Sequence, residues 1–400
     1  MNQPLTTRRG ERTPSPQQLW LFVLGFILVG ANLRAPLSSV GPILASIQES
    51  LGLSNTVAGS LTTVPLLAFA LLSPFASRIA EKLGTEKTVW ISLFVLICGI
   101  GIRFLPNVSF LFAGTAFIGL AIAVCNVLLP GIIKQHFPLR IGLMTGVYGV
   151  FMNVFAALAS GLSDPLSSMQ GIGWQGALGL WGLLSLIALL VWSFQLRNNR
   201  LAIQAAGTAS TESANVWKSP LAWMVTLFMG IQSLFYYTLM TWLPQILHTH
   251  GYTSASAGWL LALMQGALIP MTFIIPIVAG RMKSQRLLAA AISLLFFAGT
   301  LGLLQGVLLP LCAVMFGMAS GGAFGLAMMF FSLRTQNGKQ ASQLSGMAQS
   351  VGYLLAAFGP TVFGWLHDLT HSWTAPLFVL LGLSVTILIA GLFAGRGLVK

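Results

Sequence analysis

The sequence predicts an all-helical membrane protein with twelve transmembrane helices in two parallel six-helix pseudo-repeats. Three observations predict it: the composition, twelve apolar runs, and the distribution of Lys and Arg between those runs. Of 400 residues, 56% are hydrophobic and only 7% are charged, whereas about 25% are charged in an ordinary soluble domain. So few charges could not cover the exterior of a soluble fold, and lipid must take the place of water there.

Apolar runs divide the chain into twelve candidate spans, since about twenty apolar residues cross a bilayer. One long polar interval follows the sixth run, and its composition is that of a flexible linker. The first run shows no cleavage site and is expected to be a retained helix. The runs begin near residues 19, 56, 88, 109, 140, 175, 220, 256, 287, 310, 342 and 374. The expected domains are a tail (1–18), an N-terminal six-helix bundle (19–196), a linker (197–219) and a C-terminal six-helix bundle (220–396).

The basic residues predict the orientation of these spans. If the first helix begins in the cytoplasm, all of the 20 Lys and Arg except Arg34 and Arg103 fall on the cytoplasmic side. This bias follows the positive-inside rule, and a wrong number of helices would distribute the Lys and Arg over both sides of the membrane. It predicts a multi-pass protein of a bacterial-type inner (plasma) membrane with both termini in the cytoplasm. It also accounts for the net charge of +13 without nucleic acid, because a nucleic-acid site gathers its basic residues on one face.

The two halves repeat each other at an offset of about 200 residues. The fifth and eleventh runs match best, and the second and eighth runs and the segments before the sixth and twelfth match as well. The matching positions are Gly146, Ala156 and Ala157 with Gly346, Ala356 and Ala357, Ala58-Gly59 with Ala257-Gly258, and Trp174 with Trp373. Because six helices cross the membrane an even number of times, the two repeats are parallel.

Several short stretches resemble a known transporter superfamily. The connection after the second run (SRIAEKLGTEK, 77–87) is similar to the loop pattern G-x-L-x-D-R-x-G-R-R of the major facilitator superfamily. Arg78, Glu81, Lys82 and Gly84 are its loop-motif residues, with Glu81 in place of the Asp and Ser77 in place of the first Gly. More specific stretches are NLRAP (32–36), PGIIK (130–134), YY (236–237) with WLP (242–244), and GMAQSVGY (346–353). Together they resemble the cyanate and nitroimidazole transporter branch over nearly the whole chain.

The resemblance implies the major facilitator fold and a secondary active transporter. Such a protein moves a small solute by alternating access, in which two halves rock about a central site. In the superfamily's plan the first, fourth, seventh and tenth helices line the cavity, with parts of the second, fifth, eighth and eleventh. The branch implies a cyanate-like or nitroimidazole-like solute, and both import and export remain open.

Arg34 is the most informative candidate for solute binding. It follows Trp20 by 14 positions, or ~21 Å along a helix, which places it near the bilayer midplane. An arginine there costs roughly 3 kcal/mol and faces a bundle interior or a wet cavity. No acidic residue lies in the middle of an apolar run, so an anionic or electron-rich solute is the expected partner of its guanidinium fork. A structural arginine capped by carbonyl groups is the alternative.

Five further polar side chains are predicted to complete the binding site, because each shares a helix face with small or polar residues. They are Asn126, Gln232, Tyr236, Gln349 and Tyr353. For each of them an interhelical hydrogen bond is the alternative role, and the same holds for Asn153 and Gln265. Arg103 is expected to be structural, with its long side chain reaching water from the outer end of the third helix. The strip Gly142, Gly146 and Gly149 is expected to be a close-packing surface.

No enzyme, metal or cofactor is expected. His248 and His250 lack a third ligand, and no nucleotide-binding motif is present. The expected partners are a small-molecule solute and the lipid bilayer, and the expected state is a monomer. Efflux of neutral or weakly charged drugs is the first alternative function. A transporter-like membrane sensor and a membrane enzyme are the others.

Overall fold

The computed structural model describes residues 16–53, 55–196 and 216–399, and these ranges are mostly helical and contain no strand. Most of the expected tail and most of the expected linker lie outside them, and residues 16–18 of the expected tail already belong to the first helix. The N-terminal half contains α1 (Pro16–Asn32), α2 (Ala35–Ser38), α3 (Leu44–Leu51), α4 (Asn55–Leu83), α5 (Thr85–Arg103), α6 (Val108–His136), α7 (Ile141–Ser167), α8 (Gly173–Gly179) and α9 (Trp181–Ser193). The C-terminal half contains α10 (Pro220–Thr249), α11 (Ser254–Arg281), α12 (Arg286–Gln305), α13 (Leu309–Leu333), α14 (Gly338–Thr370) and α15 (Thr374–Ala394).

The helices confirm the predicted fold class, an all-helical membrane protein. Within the described ranges, 11 segments are long and apolar enough to cross a bilayer. The twelfth predicted span is α14, which is the longest helix at 33 residues but carries many polar side chains. Several of these, including Gln340, Ser345 and Gln349, are buried against other helices, so the helix needs fewer apolar residues than a lipid-facing span.

The first span is broken rather than continuous. Helix α1 ends at Asn32, and a new short helix begins at Ala35, with Arg34 between them at φ −128° and ψ −31°. Pro36 explains the break, since it has no N–H to donate to the carbonyl four residues earlier and its ring crowds that carbonyl. The Asn32 side chain holds the end of α1 by donating to the Leu28 carbonyl (2.8 Å) and accepting from the Ser185 hydroxyl (2.6 Å).

The two halves meet along two seams, α4 against α14 and α7 against α11. Gly146 of α7 and Gly346 of α14, which the repeat pairs at an offset of 200, occupy equivalent places in them. A Cβ built on Gly146 would lie 2.9 Å from the Phe273 carbonyl oxygen, and one on Gly346 would lie 2.6 Å from the Ser73 carbonyl oxygen. Close approach of backbones therefore requires glycine at both positions.

The seams lie toward one end of the bundle, which we name the linker end because α9 ends and α10 begins there. Polar contacts reinforce the closure at this end. The Lys134 ammonium donates to the carbonyl oxygens of Ser332 (2.6 Å), in the last turn of α13, and of Thr335, just after that helix. The loop-motif residue Glu81 pairs with Lys339 (3.3 Å) and accepts from Gln343 (3.2 Å). These contacts all join the N-terminal half to the C-terminal half.

The remaining loop-motif residues lie on the same end. Arg78 and Lys82 are exposed on the last turns of α4. Gly84 has φ +88° and precedes α5, a left-handed conformation that explains why the sequence has glycine there.

Candidate functional site

A cavity of about 490 Å³ lies between the two halves. Its walls come from both repeats, and the break in the first span opens directly onto it. Gly41, Pro42 and Thr241 line it and are exposed, and all three lie toward the end opposite the linker end. We name this opposite end the distal end. The cavity is therefore accessible from the distal end while the seams close the linker end.

Arg34 projects from the helix break into this cavity and is half-buried. Its Nη1 donates one long hydrogen bond to the Tyr236 hydroxyl (3.4 Å). The guanidinium carbon lies 5.3 Å from the Tyr236 ring centroid and 5.7 Å from that of Phe324, within cation–π range. An arginine has five N–H donors, so most of the donors of Arg34 remain available to a ligand.

Arg34 has no carboxylate partner among the residues whose side chains the structure describes. The three ion pairs found there involve Glu86, Glu81 and Asp368. Glu81 and Glu86 lie at the linker end, and Asp368 lies near the distal end of α14. An intramembrane charge is stabilised by a pairing acid, by dipoles or by water. For Arg34 the structure provides aromatic faces and one hydroxyl, so no described carboxylate compensates its positive charge in the cavity.

Aromatic rings form much of the wall around Arg34. Tyr236 and Tyr237 stand edge to face with centroids 5.2 Å apart, and Tyr353 packs on Phe69 at 5.0 Å. Such rings offer flat apolar faces for a planar ligand. The Tyr236 hydroxyl also accepts from Gln265 Nε2 (3.3 Å), so both of its acceptor positions are used and its own hydrogen is left to donate.

The structure brings most of the predicted site residues together. Arg34, Asn126, Tyr236 and Tyr353 line the main cavity, and Gln232 lines a small adjoining chamber. Gln349 is separate from both. It is fully buried where α14 meets α6, and its Nε2 donates to the Asn126 carbonyl (3.2 Å) and the Ser345 hydroxyl (2.8 Å).

Other lining residues were not singled out in the sequence as site residues. Tyr237, Phe324 and Thr241 line the cavity. Tyr237 stands in the double-tyrosine motif, which was a usable signal. Phe324 lies in an apolar run with many phenylalanines, and nothing in such a run marks one ring as cavity-facing.

Arg103 differs from its expected geometry. It was expected to reach water, but it is fully buried, and its Nη1 donates to the Pro36 carbonyl (2.9 Å). Its Nε and Nη2 have no hydrogen-bond partner among the side chains and backbone groups that the structure describes. The Pro36 carbonyl lies just after the break in the first span, and it accepts from both Arg103 Nη1 and the Ser39 hydroxyl (3.2 Å). Arg103 thus supports the segment that carries Arg34.

The sequence pattern of the Major Facilitator Superfamily matches residues 22–360. The chain belongs to this superfamily. Its fold agrees with that of a solved superfamily member, the proton:xylose symporter XylE bound to 6-bromo-6-deoxy-D-glucose. The TM-score is 0.76 at 12% identity, over 96% of this chain and 98% of the other. At that identity the likeness shows the fold alone, and it confirms the predicted arrangement of two six-helix halves.

Curated relatives confirm the branch that the sequence motifs resemble. The chain is 42% identical over 380 residues to the 2-nitroimidazole transporter of Escherichia coli, covering 94% of this chain and 95% of that one. It is 26% identical over 355 residues to the cyanate transport protein CynX of the same organism, covering 88% and 91%. The superfamily membership and these relatives indicate a multi-pass membrane transporter of small solutes and not an enzyme.

Proposed function

We propose that this transporter carries a small planar solute with a negative or electron-rich group across the inner membrane by alternating access. Arg34 binds that group, and the aromatic walls hold the plane of the solute. The observation that carries the proposal is the guanidinium of Arg34 in the cavity, deep in the bundle and without a carboxylate partner in the described part of the chain. A bound anionic or electron-rich group supplies the acceptor that the guanidinium lacks.

The size of the cavity favours a ring over a triatomic anion. A water molecule takes about 30 Å³ of liquid, so the cavity of about 490 Å³ has room for a solute and several waters. A cyanate-sized ion would touch Arg34 but leave the tyrosine and phenylalanine faces to water. An aromatic solute covers those faces and gains stacking energy. The 42% identity to a 2-nitroimidazole transporter supports the same class, because a nitroimidazole is planar and its nitro group is electron-rich.

We further propose that the linker end faces the cytoplasm. The support is the distribution of Lys and Arg in the sequence, which concentrates on that end of the spans. In this orientation both termini are cytoplasmic, and the cavity faces outward with its cytoplasmic side sealed by the α4–α14 and α7–α11 seams.

Counterflow in proteoliposomes tests the substrate class. Vesicles loaded with unlabelled 2-nitroimidazole should take up labelled 2-nitroimidazole when they contain the protein. Unlabelled nitroaromatic compounds should compete for this uptake far better than cyanate does. Equal competition by cyanate would contradict the proposal that the solute is ring-sized. Counterflow of organic cations or neutral drugs, without counterflow of 2-nitroimidazole, would favour the drug-efflux alternative.

Tyr236→Phe is expected to reduce apparent affinity for the solute by about 2- to 12-fold, the range for one neutral hydrogen bond. The change keeps the ring against Arg34 but removes the hydroxyl that Arg34 and Gln265 share. Tyr252→Phe is the matched control, since Tyr252 is outside the residues that line the cavity. Competition curves in the counterflow assay measure the effect. The same affinity loss in both variants would show that Tyr236 has no special role.

A further inference from the structure

A small polar chamber adjoins the main cavity beside Arg34. Its volume is about 20 Å³, and it shares five lining residues with the main cavity, among them Arg34, Tyr236 and Phe324. Its other polar walls are Asn153, Gln232, Ser233 and Ser320. We name this space the side chamber. The helices α7, α10 and α13 contribute these four residues, so both halves of the transporter form it.

The two amide side chains of the side chamber present hydrogen-bond acceptors. Asn153 Nδ2 donates to the Gly149 carbonyl (2.8 Å), which fixes the orientation of the amide, because a carbonyl oxygen could not face that carbonyl. Gln232 Nε2 donates to Met229 Sδ (3.2 Å) and Ser233 Oγ (2.8 Å). The amide oxygens of Asn153 and Gln232 are therefore the groups left over to accept.

Ser320 adds an unpartnered hydroxyl to the same space. Its side chain is 1% exposed, and within the described part of the chain its Oγ has no hydrogen-bond partner. Leaving a buried hydroxyl unpaired is unfavourable, so this group indicates a bound polar occupant. The α13 backbone places the hydroxyl near midspan, where water is scarce.

Size and charge restrict the occupant. A chamber of about 20 Å³ holds one water or one small polar group, and it is too small for a ring. A cation is disfavoured, because Arg34 forms part of the wall and like charges repel strongly in a low-dielectric interior. A neutral N–H or O–H donor satisfies the acceptors without that repulsion.

We propose that the side chamber is a specificity subsite for a neutral hydrogen-bond donor on the solute. The inference rests on the proposed function and narrows it. The solute carries an electron-rich group that meets Arg34 and, on the same small ring system, an N–H or O–H that enters the side chamber. An azole with a free ring N–H is the simplest compound of this kind. An N-alkylated azole leaves the chamber's acceptors unpaired and brings a methyl group against them.

Equilibrium dialysis of the full-length protein against two probes tests this proposal. The probes are 2-nitroimidazole and 1-methyl-2-nitroimidazole, which keep the same nitro group and differ in the ring N–H. Wild-type protein should bind the N–H compound at least about fivefold more tightly, the low end expected when buried acceptors lose their donor. Gln232→Met and Ser320→Ala should each bring this ratio toward one.

The control variant for Ser320→Ala is Ser293→Ala, which removes another buried hydroxyl, bonded to the Ala289 carbonyl at 2.8 Å and outside both cavities. It should keep the wild-type ratio. Equal binding of the two probes by wild-type protein would overturn the side-chamber proposal and leave the proposed function standing. If folded wild-type protein bound neither probe, both proposals would fail. A ratio that survives in Gln232→Met and Ser320→Ala would place the selectivity elsewhere.

Discussion

Replacing Arg34 with Gln is expected to lower transport of the solute by about 10- to 150-fold. This range corresponds to the loss of a hydrogen bond to a charged group. Gln keeps a polar side chain at the helix break but removes the charge and the two-pronged donor geometry. Arg34→Lys should show an intermediate loss, since it keeps the charge but presents it as a single point. Counterflow in proteoliposomes, corrected for the amount of inserted protein, measures both variants.

Arg140→Gln is the control for this series. Arg140 is exposed at the linker end, so this substitution makes the same chemical change far from the cavity. It should transport like the wild type. Normal transport by Arg34→Gln of verified fold would show that Arg34 is a structural residue. That outcome would remove the main support for an anionic or electron-rich solute.

Gly346→Val is expected to hold the linker end open. The Cβ alone would lie 2.6 Å from the Ser73 carbonyl oxygen, so α14 cannot approach α4 as it does in the wild type. Overpacking of this kind costs about 1–3 kcal/mol, which shifts the balance between sealed and open linker ends by roughly 5- to 150-fold. Gly146→Val should act in the same direction, because its contact with Phe273 is the equivalent one in the other seam.

Spin labels measure this shift. One label replaces Leu139 in the N-terminal half and the other replaces Lys283 in the C-terminal half, both exposed at the linker end, in a chain without its three native cysteines. The distance between the labels should lengthen in Gly346→Val. Gly382→Val is the control, since a Cβ there meets nothing within 4 Å. An unchanged distance in Gly346→Val would contradict the assignment of the seam as the linker-end seal.

Much of the fold is predictable from the sequence because a bilayer imposes strong constraints on it. Apolar runs of about twenty residues identify the spans, and the predicted starts lie within four residues of the helix starts in the structure. The 200-residue repeat predicted that Gly146 and Gly346 are equivalent, and both occupy inter-half seams. The break at Arg34 was not predicted, although Pro36 was the local signal for it.

The binding site is less predictable, because helix periodicity shows which side chains share a face but not which part of that face lies along the cavity. Gln349 and Tyr353 lie one turn apart on the same side of α14. Tyr353 faces the cavity, while Gln349 lies closer to the linker end, where the same side of the helix meets α6. The sequence alone does not say where along a helix the space between the halves ends. The burial of Arg103 was not predicted for a related reason. The Pro36 carbonyl that accepts from Arg103 lies just after the break in the first span, and that break was not predicted.

Calorimetric titration of 2-nitroimidazole into purified wild-type protein and into Arg34→Gln tests directly whether Arg34 binds the solute. We expect saturable binding of one solute per wild-type chain and an affinity at least tenfold lower in Arg34→Gln, with both proteins equally folded. Equal affinity in the two proteins would contradict the central claim that the unpaired guanidinium of Arg34 binds the solute.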